Sequence, residues 1–105
     1  MSYHVTHWTG KAEHDYPVSG FGDLLDELTK ADAEHPDIAV THESEWSVTV
    51  YRTGYVVLEN LEAGEPFHLG QLDRNAMLQL MVAIAEGRID DVRAKPWVAG
   101  YPPRR

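Results

Sequence analysis

The sequence predicts an α+β domain: a mainly antiparallel sheet packed against two helices in two layers, in the order strand, helix, strand, strand, strand, helix. Three observations carry that expectation. Residues 46–51 and 55–60 are two strand-rich runs flanking Arg52-Thr53-Gly54, which is the pattern of a hairpin. Phe21, Leu24, Leu25 and Leu28 recur at helical spacing. Within residues 76–85 only Gln79 is polar, so that helix is expected at the buried centre. With 105 residues, 43% of them hydrophobic, the chain can fill one core but not two, and residues 1–105 read as a single domain.

Taken in order, residues 3–8 alternate loosely as a first strand, and residues 10–19 are a turn-rich connection. Ser19 is expected to cap the first helix, with Asp23 in the first turn where negative charge suits the amino end. Pro36 stops that helix by about His35. Residues 38–41 form a short strand, interrupted by Glu43-Ser44-Glu45. In the hairpin, Gly54 supplies the left-handed conformation of a three-residue loop. Period two places Trp46, Val48 and Val50 on one face, with Val56 and Leu58 as partners. Ser47, Thr49, Tyr51, Tyr55, Val57 and Glu59 take the other. Residues 61–66 read as a loop and residues 67–69 as a short further strand. Asp73 is placed to cap the last helix and Gly87 to end it. Residues 89–103 are expected to be irregular, docked through Val92, Trp97, Val98 and Tyr101. Residues 98–105 are expected to be partly frayed, Arg104 and Arg105 above all.

Charge narrows the function. The chain carries 9 Lys and Arg against 17 Asp and Glu, a formal net charge of -8. All 17 acidic residues lie between Glu13 and Asp91, where the only basic residues are Lys30, Arg52, Arg74 and Arg88, so this stretch carries a formal -13. Such a field repels phosphate backbones and anionic lipid and attracts a basic surface; solubility is its plain competing explanation. Nucleic acid and membrane are therefore not expected as partners. Zero cysteines exclude a disulfide framework and thiolate metal sites, and fit a reducing, cytoplasmic setting. Residues 1–10 are mixed and polar, so no signal peptide is expected, and no apolar stretch, residues 81–85 included, approaches a membrane span.

The chemistry-bearing residue types form no catalytic signature. His4, His7, His14 and Asp15 are close in sequence, but a strand places His4 and His7 on opposite faces, against a metal site. His42 with Glu43 and Glu45 offers acid and base groups without a positioning element, and His68 is isolated. Gly20-Phe21-Gly22 lacks the third glycine and the lysine of phosphate loops. Ser2, Ser19, Ser44 and Ser47 sit in no nucleophile elbow. No cofactor is expected. What remains is a surface for protein recognition: Tyr51 and Tyr55 as aromatic anchors, with Glu43, Glu45, Glu59, Glu62 and Glu65 to steer a basic protein partner. Trp46 is read as filling the core rather than joining that surface.

From Pro36 onward the chain resembles a family of immunity proteins encoded beside polymorphic toxins in bacteria, especially actinobacteria. The likeness rests on Pro36-Asp37-Ile38-Ala39-Val40, on Trp46-Ser47-Val48-Thr49-Val50 opening a hairpin, on Gly54, on the apolar helix, and on the closing Gly87 and Trp97. It departs at Arg88-Ile89-Asp90-Asp91, which intervene before Lys95-Pro96-Trp97 where the family carries further glycines and a proline. The resemblance implies a small, non-enzymatic cytoplasmic α+β domain that inhibits a cognate toxin, and it transfers no functional residue. Two other classes stay open. One is a small enzyme or ligand-binding domain, its pocket between sheet and helices reached by His7, His42 or His68. The other is a structural oligomerisation module, a homodimer joined through the apolar last helix.

Overall fold

The computed structural model describes residues 2–34 and 37–103. Among these, seven strands form one sheet: β1 (Tyr3–Thr6), β2 (Ala12–His14), β3 (Asp37–His42), β4 (Trp46–Tyr51), β5 (Val56–Asn60), β6 (Phe67–Leu69) and β7 (Val98–Ala99). The helices are α1 (Phe21–Asp26), α2 (Arg74–Ala85) and α3 (Ile89–Arg93). Sheet order is β2-β1-β3-β4-β5-β6-β7, and every neighbouring pair is antiparallel. The α+β class and the antiparallel sheet are thus as the sequence predicts. The element list is longer than expected.

The β4–β5 hairpin forms as its pattern requires. Val48 faces Leu58 and Val50 faces Val56, while Gly54, at φ 94°, donates from its amide to the Tyr51 carbonyl at 3.0 Å. Only a residue free of Cβ repulsion holds that φ at little cost. Helix α2 starts where Asp73 Oδ1 accepts from the Ala76 amide at 2.8 Å. It ends in a Schellman closure: Gly87, at φ 75°, donates to the Ile84 carbonyl at 3.0 Å and Arg88 donates to the Ala83 carbonyl at 2.9 Å.

Four local expectations are corrected. The connection over residues 10–19 contains β2, whose Ala12, Glu13 and His14 are all exposed and so lack the alternation that marks a strand. A turn in which the Gly10 amide donates to the His7 carbonyl brings β2 back onto β1. Ser19 does not cap α1: it lies in a 3-10 turn, Val18–Gly20, and Gly20 is the cap residue, with no side-chain capping bond. Helix α1 is short, passing at Glu27–Lys30 into another 3-10 turn, where the Thr29 hydroxyl donates to the Asp26 carbonyl. His35 and Pro36, where the stop was expected, lie outside the described residues, as do Arg104 and Arg105. Residues 89–103 are not irregular throughout, since they contain α3 and then β7 on the free side of β6. Val92 and Trp97 dock, the Trp97 indole N–H donating to the Val92 carbonyl at 2.7 Å, but Val98 and Tyr101 are 55% and 60% exposed.

One face of the sheet carries the core. Val5, Ile38, Val40, Val48, Val50, Val56 and Leu58 are at most 1% exposed, and they pack with Phe21, Leu24 and Leu28 of the first helical segment and Met77, Met81 and Ile84 of α2. Each such side chain contributes about 1.5–3 kcal/mol of burial. Helix α2 lies on β3 and β4 and touches α1 and α3, burying Met77, Met81 and Ile84 and leaving Leu78 and Val82 half-buried. Trp46 is half-buried against this core with the Arg93 guanidinium 5.0 Å above its ring. No described helix is long and apolar enough to cross a membrane.

Candidate functional site

Because side chains alternate along strands, the register that collects the core on one face defines the other face as well. Across that second face run His4, Thr41, Ser47 and Glu59 in one row, and Thr6, Ala39, Thr49, Val57, His68 and Val98 in the next. Asp37 opposite Tyr51 begins a third. All the buried helix residues belong to the core on the other side, which leaves this face without a helical cover among the described residues. Val57 is fully buried here yet lies outside the main core, so the face has a small packed centre of its own. Beside it, Thr41 and Ser47 share a buried hydroxyl hydrogen bond of 2.9 Å.

The chain after β7 completes the face. The Gly100 amide donates to the Pro66 carbonyl at 2.8 Å, His68 Nδ1 donates to the Gly100 carbonyl at 2.9 Å, and the Tyr101 hydroxyl reaches Glu59 Oε2 at 3.1 Å. Tyr55 stands edge-on to His68 at 6.0 Å. Tyr51 is half-buried, and that burial, with Asp37, Glu59 and Tyr101 nearby, pushes its hydroxyl pKa up. Burial also raises the Asp37 carboxyl above its ordinary value. The hydrogen bond to Glu59 raises Tyr101, so both tyrosines are neutral donors at physiological pH. No basic side chain pairs with Asp37 or Glu59 among the described residues. Asp37 beside Tyr51 and Glu59 beside Tyr101 thus place two carboxylates on this face, two register rows apart.

The site residues expected from sequence divide into two groups. Tyr51, Tyr55 and Glu59 lie on this face. Glu43 and Glu45 occupy the β3–β4 turn, and Glu62 and Glu65 the loop after β5. The Leu61 amide donates to the Glu45 carbonyl at 3.0 Å, which holds turn and loop together at one end of the sheet. That end is about 17 Å, the length of β4, from Tyr51. Glu43 is engaged with the chain's start, accepting from the Ser2 amide at 2.8 Å. Sequence reading missed Asp37 and Tyr101. The sequence shows only Gly100-Tyr101 ahead of two prolines, and the tertiary pairing alone brings Tyr101 to Glu59.

The histidines do not converge. His7 is bracketed by Glu27 at Nδ1, 2.7 Å, and Glu13 at Nε2, 2.9 Å. Burial works against its charged form, but the hydrogen bonds and charges of Glu27 and Glu13 outweigh it, and the net pKa is raised. His42 Nδ1 accepts from the Ser44 amide at 3.1 Å, so its proton sits on Nε2, which is buried without a partner among the described residues. His68 serves the Gly100 carbonyl. His4 pairs with His14 across β1 and β2, and no group of three His, Asp or Glu suited to a metal ion occurs among the described residues.

Compared with known proteins, the chain matches no family model, no curated protein and no solved structure.

Proposed function

We propose that this chain is a protein-binding domain that receives a basic partner on its helix-free sheet face, and that it acts as an immunity protein, neutralising a cognate toxin in the cytoplasm by covering a basic active-site cleft. The observation that supports the reading is that Asp37, opposite Tyr51, and Glu59, bonded to Tyr101, lie on one sheet face with no basic side chain paired to either among the described residues. A formal net charge of -8 adds long-range steering toward a basic surface. The aromatic rings supply anchoring area at low entropic cost. The glutamates of the turn and loop at the end of the sheet, near which Glu59 sits opposite Ser47, extend the negative field, and their role is to accelerate encounter. The resemblance to toxin-immunity proteins favours a toxin among basic partners. The reading assigns the chain no catalytic step and no nucleic-acid or lipid partner.

The test is to isolate the partner from the source organism, identify it by mass spectrometry, and measure association of the purified pair at rising salt. The reading requires a basic partner whose activity this chain blocks and an association rate that falls steeply with salt. The double variant D37K/E59K is expected to weaken binding by about a hundredfold, because a like charge then faces the cation. An acidic partner, or an association rate indifferent to salt, overturns it.

A further inference from the structure

The helix layer is narrower than the sheet. Helix α2 lies over β3 and β4, leaving Leu69 of β6 and Leu72 beyond it half-buried. Helix α3 packs against α2 and closes one end of the gap. What remains is a cavity of about 560 Å³, walled by Leu69, Leu72, Leu78, Leu80, Val82 and Val92. That volume falls within the range of sites that enclose small molecules.

The polar groups at its edge are few and unequal. Arg88 is satisfied, its guanidinium lying 3.0 Å from Glu86 and 3.7 Å from Asp91. Lys95, also on the lining, has no carboxylate partner among the described residues. In a chain with 17 acidic residues, an uncompensated ammonium beside an apolar trough is the complement of an anion with an apolar body. Lys95 and Pro96 also border a smaller cavity of about 250 Å³ lined by Trp46, Phe67, Arg93 and Trp97.

We propose that the trough between α2, α3 and β6 binds a small amphipathic carboxylate, its hydrocarbon part on the leucines and its carboxylate on Lys95. The site is separate from the sheet face assigned to the partner, and the proposal does not depend on that assignment.

The experiment titrates the full chain with decanoate and, separately, with decanol, following backbone amide shifts by NMR. Decanoate is expected to bind saturably, with shifts centred on α2 and α3, and decanol about tenfold more weakly. Lys95→Ala is expected to lower decanoate affinity about tenfold and leave decanol unchanged. Ala76→Trp, which fills the trough from α2, is expected to abolish both; Leu72→Trp serves if that variant fails to fold. Absence of saturable decanoate binding overturns the proposal. So does equal affinity for acid and alcohol, binding that survives the filled trough, or sedimentation showing a dimer that covers these residues.

Discussion

Replacing Ile84 by alanine is expected to destabilise the domain by about 3–4 kcal/mol, and replacing Leu80 by alanine by only about 2 kcal/mol. The two substitutions delete the same number of carbons from the same helix, and the lost transfer free energy is about 2.4 kcal/mol in each. They differ in what is left behind. Ile84 is fully buried in the layer between α2 and the sheet, so its removal leaves a closed void of up to about 80 Å³, worth as much as about 1.9 kcal/mol if nothing relaxes. Leu80 is 5% exposed and lines the trough beside α3, so truncating it enlarges a space already open to water and adds little cavity cost. Alanine's better helix propensity returns a few tenths of a kcal/mol in both variants. Urea unfolding followed by circular dichroism measures both losses, and an unchanged m-value shows that the native and denatured states are otherwise the same. Losses equal within about 0.5 kcal/mol, or a larger one for Leu80, refute the reasoning. Ile84→Val, at about 1 kcal/mol, keeps the comparison available if the alanine variant is too unstable to study.

His7 stabilises the fold in a pH-dependent way. Its pKa is raised in the folded state, so its contribution is full below the unfolded value of 6.5 and is lost as pH rises through the folded value. The stability advantage of the natural chain over His7→Gln should therefore be larger near about pH 5.5 than near about pH 8.5, and an advantage that grows with pH contradicts the Glu13–His7–Glu27 bracket. Asp73→Ala should cost about 1 kcal/mol in urea unfolding, since the Ala76 amide loses its acceptor; no measurable loss would show that water caps α2 equally well. Gly87→Ala should cost about 1 kcal/mol by forcing a Cβ into φ 75°, and a stabilising effect would contradict the Schellman closure.

The parts of the fold visible in the sequence are those whose signal is local. The β4–β5 hairpin is legible because alternation and Gly54 agree, and α2 because Asp73, an apolar run and Gly87 agree within fifteen or so residues. Strand β2 is invisible because three exposed residues have no pattern to show, and β7 because two residues form a strand only through β6. Helix α3 has five residues, too few to display a period, and Val92 is its one buried side chain. The candidate site is half legible for the same reason. Tyr51, Tyr55 and Glu59 belong to the hairpin, whereas Asp37 arrives by the β3–β4 register and Tyr101 from 42 residues beyond Glu59. The turn and loop glutamates sit at the end of β4 where Glu59 pairs with Ser47, a separation from Tyr51 that adjacency in sequence does not reveal.

The strand order has a consequence for self-association. A sheet of seven strands has two outer edges, and unpaired amides and carbonyls there invite strands from other molecules. Here one edge is the three-residue β2, carrying Glu13 and flanked by Lys11 and Asp15, and the other is the two-residue β7, followed by Gly100 and by Pro102 and Pro103. Neither edge offers enough consecutive backbone groups to template an intruding strand, and the prolines lack the amide that one would need. The longer, apolar strands are held in the interior of the sheet, away from either margin.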